Sequence, residues 1–233
     1  MPYYGYYFDW TYILILIGAV ISMIASSKVQ STYAKYGKVG SHSGMTATEA
    51  ARMILDRAGL HNIRIERVAG NLTDHYSPKE LILRLSDTTI HSTSIAAIGV
   101  AAHECGHAIQ HAEHYAPLSV RNAIVPVVNI GSKLSWPMIL MGLLLGFTGF
   151  LDLGIILFSL SLVFQLITLP VEFNASSRAL QILEHSNMLY DEELRGAKKV
   201  LSAAAMTYVA AAISTLLSLL RLIILFGGRR RND

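Results

Sequence analysis

Four long stretches of the chain contain almost no charged residues, and this feature limits what the chain can fold into more than any other. They lie at about 10–27, 134–150, 153–171 and 200–226. Each reaches the roughly 17 residues that a helix needs to cross a hydrocarbon core. Because the chain is also 52% hydrophobic and only 15% charged, we expect a mainly α-helical integral membrane protein with about four transmembrane helices.

Lys and Arg residues near the ends of these stretches predict the orientation in the membrane. None precedes the first stretch, whereas three lysines follow it, beginning with Lys28. Because positively charged loops stay in the cytoplasm, we expect residues 28–133 there and, with four spans, residues 172–199 as well. The predicted location is therefore the plasma membrane, with both polar segments on its cytoplasmic face. The arginines at 229–231 do not fit, since an even number of spans returns the chain to the outside.

This reading divides the chain into five segments. They are an N-terminal transmembrane helix (1–27), an α+β unit (28–133), a transmembrane helical hairpin (134–171), a polar segment (172–199), and a C-terminal transmembrane helix with a basic tail (200–233). The hairpin is expected to turn around Asp152, between Gly149 and Gly154. Residues 117–133 are expected to form either a bent helix on the membrane surface or an extension of the second span.

Local patterns within 28–133 predict a small α+β fold. Thr46-x-x-Glu49 matches a capping box that begins a helix ending near Arg57. Residues 63–68 and 81–86 have the alternating pattern of short strands, with a turn-rich segment between them. From about 92 to 113 the chain reads as a helix rich in small residues, which can pack closely against other helices.

This last helix contains an HExxH motif, with His103, Glu104 and His107 at its fixed positions. Residues four apart lie one above the other on a helix face, so both imidazoles can bind one Zn²⁺ while Glu104 reaches a bound water. Gly106, between the histidines, leaves room for another element to approach. The motif therefore predicts a site for a single zinc ion.

A catalytic zinc site needs a third protein ligand, and the sequence offers two carboxylates. His111 is not suitable, because along a continuous helix it lies roughly 12 Å from the level of His103. Asp152 falls at the hairpin turn, on the membrane face opposite the polar segments. Glu172 begins a polar segment on the same face as the HExxH motif, and it is the favoured ligand.

Several parts of the sequence together resemble a known family. They are residues 101–110 around the HExxH motif, Thr73-Asp74-His75-Tyr76 and Leu169-Pro170-Val171-Glu172-Phe173. They resemble the neutral zinc metallopeptidases of bacterial membranes, the YugP-type family, and the resemblance covers most of the chain. It implies a zincin-like α+β unit that carries the HExxH helix.

That family is in turn similar to the HtpX-type and CaaX-prenyl-protease-type membrane metallopeptidases, in which a Glu-x-x-Ala-Asp segment supplies the third zinc ligand. By this similarity Glu172 matches the glutamate and Ala175 the alanine. Ser176 stands where those relatives have an aspartate that hydrogen-bonds a ligand histidine. We therefore expect Asn174, Ser176 or a different carboxylate to orient that ring.

The expected chemistry is zinc-dependent hydrolysis of peptide bonds in protein or peptide substrates, including membrane proteins. Glu104 would act as the general base. An oxyanion donor is also needed, and the candidates are His75, Tyr76, His91, Tyr115, Arg178 and His185. His75 is favoured among them because it belongs to a segment that carries the resemblance. The strand at 81–86 is a candidate edge strand that could pair with an extended substrate.

Two other functions stay open on the sequence alone. One is an intramembrane site-2-type protease in which Asp152 completes the zinc site, and the other is a non-catalytic membrane scaffold with a structural zinc. Small-residue faces on the spans could also support a homo-oligomer or a membrane partner subunit. A nucleic-acid partner is not expected, because the net charge is only +3 and no basic run alternates with aromatics.

Overall fold

The computed structural model describes residues 9–227, so the arginines at 229–231 lie outside the described residues. The elements, in chain order, are α1 (Tyr12–Tyr36), α2 (Ala47–Arg57), β1 (Arg64–Val68), β2 (His75–Ser77), β3 (Ile82–Ser86), α3 (Ile95–Ala112), α4 (Ala116–Leu145), α5 (Thr148–His185) and α6 (Asp191–Phe226). Within 9–227, four helices are long and apolar enough to cross a membrane, namely α1, α4, α5 and α6. The predicted fold class, a helical membrane protein with a small α+β unit, is confirmed.

Contacts divide the chain into two compact units, and each is described separately. The first unit contains the described parts of 1–24 and 209–233 together with 124–166. In it α1 packs against α6: the Ser22 and Ser214 hydroxyls lie 2.8 Å apart, and the ends of both helices are joined by an ion pair of 3.0 Å between Arg221 and Asp9.

The turn between α4 and α5 lies earlier than predicted. Gly146 follows the last residue of α4 and takes a φ of +68°, a left-handed conformation that glycine adopts at little cost. Asp152 and Gly154 instead lie inside α5. A Cβ on Gly154 would stand 2.9 Å from the backbone nitrogen of Ile139, so this glycine allows α4 and α5 to pack closely and does not form a turn.

The helix α4 is also longer than the predicted second span. It runs without interruption through residues 117–133, even though it contains Pro126 and Pro137. Residues 117–133 are therefore continuous with the helix of the predicted second span, and their position at the membrane stays a prediction.

The second unit contains residues 25–123 and 167–208 and begins its α+β part at α2. The predicted capping box is present: the Thr46 hydroxyl accepts from the Glu49 backbone N–H at 3.2 Å, and the Glu49 carboxylate accepts from the Thr46 N–H at 2.8 Å. The apolar face of α2, which includes the fully buried Ile54 and Leu55, packs in the same core as α3. α2 thereby supports α3 from one side.

The three strands form a sheet in the order β1-β3-β2, with β1 parallel and β2 antiparallel to β3. The prediction that residues 81–86 form an edge strand is therefore wrong. β3 is the central strand, and its Leu83 and Leu85 are fully buried. The short strand β2 forms within the segment predicted to be a turn, and it occupies an edge of the sheet.

Candidate metal centre

The centre is built where α3 and α5 meet within the second unit. Ser94 caps α3 by accepting from the Ala97 N–H at 3.2 Å, and the helix then presents His103 and His107 on one face. From α5, the Glu172 side chain is only 3% exposed and points toward both histidines.

The three side chains converge at distances that suit one metal ion. The Glu172 Oε2 atom lies 3.3 Å from His103 Nε2 and 3.6 Å from His107 Nε2, and ligand atoms of all three residues lie within 4.8 Å of one another. In a tetrahedral site with bonds of about 2.0–2.2 Å, neighbouring ligand atoms are roughly 3.3–3.6 Å apart. The residues present therefore fit Zn²⁺.

Asp152, the alternative third ligand, is not part of this group. Among the described residues the cluster of possible ligands consists of His103, His107 and Glu172. Asp152 lies near the start of α5, twenty residues before Glu172 in the same helix.

Each histidine has a neutral polar partner on the ring nitrogen that faces away from the centre. His103 Nδ1 lies 3.1 Å from the Ser176 hydroxyl, and His107 Nδ1 lies 3.0 Å from the Gln110 side-chain oxygen. Such contacts fix the ring orientation and leave Nε2 as the ligand atom. Ser176 thus contacts a candidate ligand directly.

Gln110 connects the two helices behind the centre. It is completely buried, and its amide nitrogen donates to the Val171 carbonyl and to the Asn174 side-chain oxygen, both at 2.9 Å. Asn174 therefore reaches the candidate ligand His107 only through Gln110. Arg178 Nε donates to the same Asn174 oxygen, at 2.8 Å, so two donors fix the orientation of this amide.

Glu104 is held beside the centre by the edge strand. Its Oε2 atom accepts a hydrogen bond of 3.0 Å from the backbone N–H of Tyr76 in β2. Burial raises the pKa of the Glu104 carboxyl above its ordinary value, although the two histidines act in the opposite direction.

The charges around His107 also favour a cation. Burial lowers the pKa of this imidazole, but the hydrogen bond to Glu172 and the negative charges of Glu104 and Glu172 outweigh that effect and leave the pKa raised. Two carboxylates thus face two imidazoles in a mostly buried space, an arrangement that stabilises positive charge between them.

Two cavities of about 230 Å³ each adjoin the centre. They share five lining residues, which are Asp74, His103, Glu104, Glu172 and Tyr208. The cavity nearer to β2 is also lined by His75, Arg121 and Asn122, so several polar side chains face this cavity.

The candidate oxyanion donors separate into two groups. His75 and Tyr76 line the cavity nearer to β2. The others do not line either cavity: Arg178 pairs with Glu113 at 2.6 Å, and His185 Nδ1 lies 2.6 Å from a carbonyl of its own helix. Tyr115 and His91 are likewise absent from the residues that line these two cavities.

Sequence reasoning did not identify Arg121, Tyr208 or the structural role of Gln110. Arg121 Nη1 lies 3.6 Å from Glu172 Oε1, and its buried Nε has no hydrogen-bond partner within the described range. Arg121 and Tyr208 belong to helices predicted as membrane elements, so no local pattern relates them to the motif. For Gln110 a signal exists, because it lies three residues after His107 on the same helix face.

This combination defines a class: two histidines and a glutamate arranged to bind a metal, with a second glutamate beside them, in a chain with membrane-spanning helices. That is the ligand set of catalytic zinc sites in metallopeptidases.

The chain belongs to the family described as "Putative neutral zinc metallopeptidase", whose model matches residues 11–227. It is 50% identical over 223 residues to the "Putative membrane protease YugP" of Bacillus subtilis (strain 168), covering 95% of this chain and 99% of that protein. No solved structure shows significant similarity to the chain.

Proposed function

We propose that this chain is a zinc-dependent metalloendopeptidase that hydrolyses peptide bonds of proteins at or near the cytoplasmic face of the plasma membrane. The observation that carries the proposal is the convergence of His103, His107 and Glu172 within 4.8 Å, next to the HExxH glutamate. Membership of a zinc metallopeptidase family, and the similarity to a membrane protease, support the same conclusion.

In this proposal His103, His107 and Glu172 hold one Zn²⁺, which when bound lowers the pKa of a water molecule and polarises the scissile carbonyl. Glu104 accepts the proton from the attacking water and transfers it to the leaving amine. The Tyr76 N–H holds one Glu104 oxygen, so the carboxylate keeps its orientation through both proton transfers.

Donors that line the cavity would stabilise the negative charge that develops on the carbonyl oxygen. His75 is our candidate for this role. Its ring is oriented by a contact of 2.9 Å between Nδ1 and the Thr73 carbonyl. Arg121 and Tyr208, which line the same cavity, are further candidates.

Metal content tests the ligand set. We expect wild-type protein purified with Zn²⁺ to hold one ion per chain and to cleave casein. Glu172→Ala should lose both properties, because two histidines alone hold zinc weakly. Asp152→Ala is the matched control: it also removes one carboxylate from α5, and it should keep both zinc and activity.

Two results would contradict the proposal. If Asp152→Ala lost zinc and Glu172→Ala kept it, the site would be of the site-2 type, with Asp152 as third ligand. If wild-type protein held zinc tightly but cleaved no denatured protein, the metal would be structural and the chain a scaffold.

A further inference from the structure

A large cleft away from the metal centre has five basic residues among the eleven that line it. It has a volume of about 860 Å³ and lies between the C-terminal part of α1 and the N-terminal part of α6, both within the second unit. Its cations are Lys28, Lys35, Arg195, Lys198 and Lys199, and no carboxylate lines it. None of its lining residues lines the two cavities at the metal centre.

Most of this positive charge is not neutralised by the protein. Arg195 forms an ion pair with Glu192, and Glu192 also interacts with the charge of Lys199. Within 9–227, none of the four lysines of the cleft has a salt bridge to a carboxylate. The lysines are exposed, so their ammonium groups are accessible to an anion.

The cleft lies at the level where two membrane helices change from charged to apolar. Lys28 is the first charged residue after the uncharged stretch 10–27 of α1, and Lys199 is the last one before the uncharged stretch 200–220 of α6. Both helices line the cleft, so its lysines mark one boundary of the hydrocarbon region.

On the apolar side of that boundary, the cleft has a hydrophobic lining. Ala203 and Met206 line it one and two turns after Lys199, and Met206 is 51% exposed. Hydroxyl groups of Ser31 and Ser202 also line the cleft. The lining thus combines cationic, hydroxyl and apolar groups, which match the headgroup phosphate, the glycerol esters and the acyl chains of a phospholipid.

We propose that this cleft binds an anionic phospholipid, with its phosphate among the lysines and its acyl chains beside Met206. Basic residues next to the membrane attract anionic lipids, and basic pockets between transmembrane helices bind their headgroups. The apolar lining distinguishes a lipid from free phosphate, which would gain nothing from it.

Binding of short-chain lipids to the purified full-length protein tests this site. The cleft variant is Lys35→Gln/Lys198→Gln/Lys199→Gln, and the control variant is Lys38→Gln/Lys79→Gln/Lys133→Gln. Both remove three exposed lysines and the same net charge, so both should fold. The probes are dioctanoyl phosphatidylglycerol, dioctanoyl phosphatidylcholine and inorganic phosphate, measured by native mass spectrometry or by thermal shift.

We expect wild type and the control variant to bind phosphatidylglycerol with equal affinity, and more tightly than phosphatidylcholine. The cleft variant should bind it roughly 100-fold more weakly, since each lysine near a membrane surface contributes about fivefold. If the affinity for phosphatidylglycerol fell equally in both variants, the cleft would not be the binding site. If wild type bound the two lipids with equal affinity, the cleft would not recognise the negative charge of the headgroup. If inorganic phosphate at an equal concentration displaced phosphatidylglycerol, the cleft would be a site for free phosphate, and the proposal that it binds a lipid would be overturned.

Discussion

The two imidazoles of the candidate centre are supported by neutral groups, a hydroxyl on His103 and an amide on His107. A carboxylate in such a position adds negative charge to the centre, whereas the Ser176 hydroxyl and the Gln110 amide orient the rings without adding any. Glu172 is therefore the one anionic ligand in the proposed set. Its Arg121 neighbour, 3.6 Å away, offsets part of that charge.

Gln110 gives a prediction for zinc affinity. Gln110→Ala removes the partner of His107 Nδ1 and the link to α5, so zinc binding should weaken by roughly 10- to 100-fold. Competition with a zinc chelator measures this directly. Gln181→Ala, which removes an exposed glutamine of α5, should leave the affinity unchanged. An unchanged affinity in Gln110→Ala would show that the ring of His107 needs no such support.

For individual residues, the sequence predicts mainly those site positions that are set by spacing along a single helix. The spacing of His103 and His107 identifies the motif, and both the predicted topology and the family resemblance favour Glu172 as the third ligand. The interaction of Gln110 with Val171 and Asn174 depends on how closely α5 approaches α3, and no local pattern gives that distance.

At the scale of elements, the close approach of α5 to α3 determines the geometry of the centre. A Cβ added to Gly106 would lie 2.7 Å from the backbone carbonyl oxygen of Ala175. This carbonyl belongs to a helix backbone and cannot move aside as a side chain can. The expectation that Gly106 leaves room for another element agrees with this contact.

Gly106→Ala should therefore destabilise the protein by about 1–3 kcal/mol, because the two helices must separate. Gly99→Ala in the same helix is the control. Its Cβ would meet the Ala197 Cβ at 3.4 Å, an ordinary contact, and the better helix propensity of alanine adds up to ~1 kcal/mol of stability. Thermal unfolding of metal-free protein in detergent compares the two variants. Equal midpoints would mean that α3 and α5 are not tightly packed at Gly106.

Element types were easier to predict than their pairing. The helices at 47–57 and 95–112 and the strands at 64–68 and 82–86 lie within a few residues of the predicted ones, because caps and alternation are local signals. β2 has only three residues and gives no such signal. It is stabilised by pairing with β3 and by the hydrogen bond from Tyr76 to the distant Glu104, and its presence makes β3 the central strand.

At the scale of the whole molecule, the proposed orientation can be tested with introduced cysteines. The sequence has a single cysteine, Cys105, which is completely buried; burial also raises the pKa of its thiol, so it should not react. We predict that Lys79→Cys is protected from a membrane-impermeant maleimide in intact cells and is labelled in inverted vesicles.

Phe147→Cys is the control for the opposite face, because Phe147 is exposed in the turn between α4 and α5. It should be labelled in intact cells. Labelling of Lys79→Cys in intact cells, together with protection of Phe147→Cys, would reverse the orientation and place the metal centre outside.

In the proposed function the whole molecule depends on Glu104 as general base, and one measurement tests this proposal most directly: the rate of casein cleavage by Glu104→Gln protein whose zinc content has been determined. We predict a zinc content equal to that of wild type and a loss of cleavage of at least ~100-fold, because the amide cannot accept the water proton. Glu184→Gln, at an exposed position of α5, should cleave at the wild-type rate. Undiminished cleavage by zinc-loaded Glu104→Gln would contradict the account.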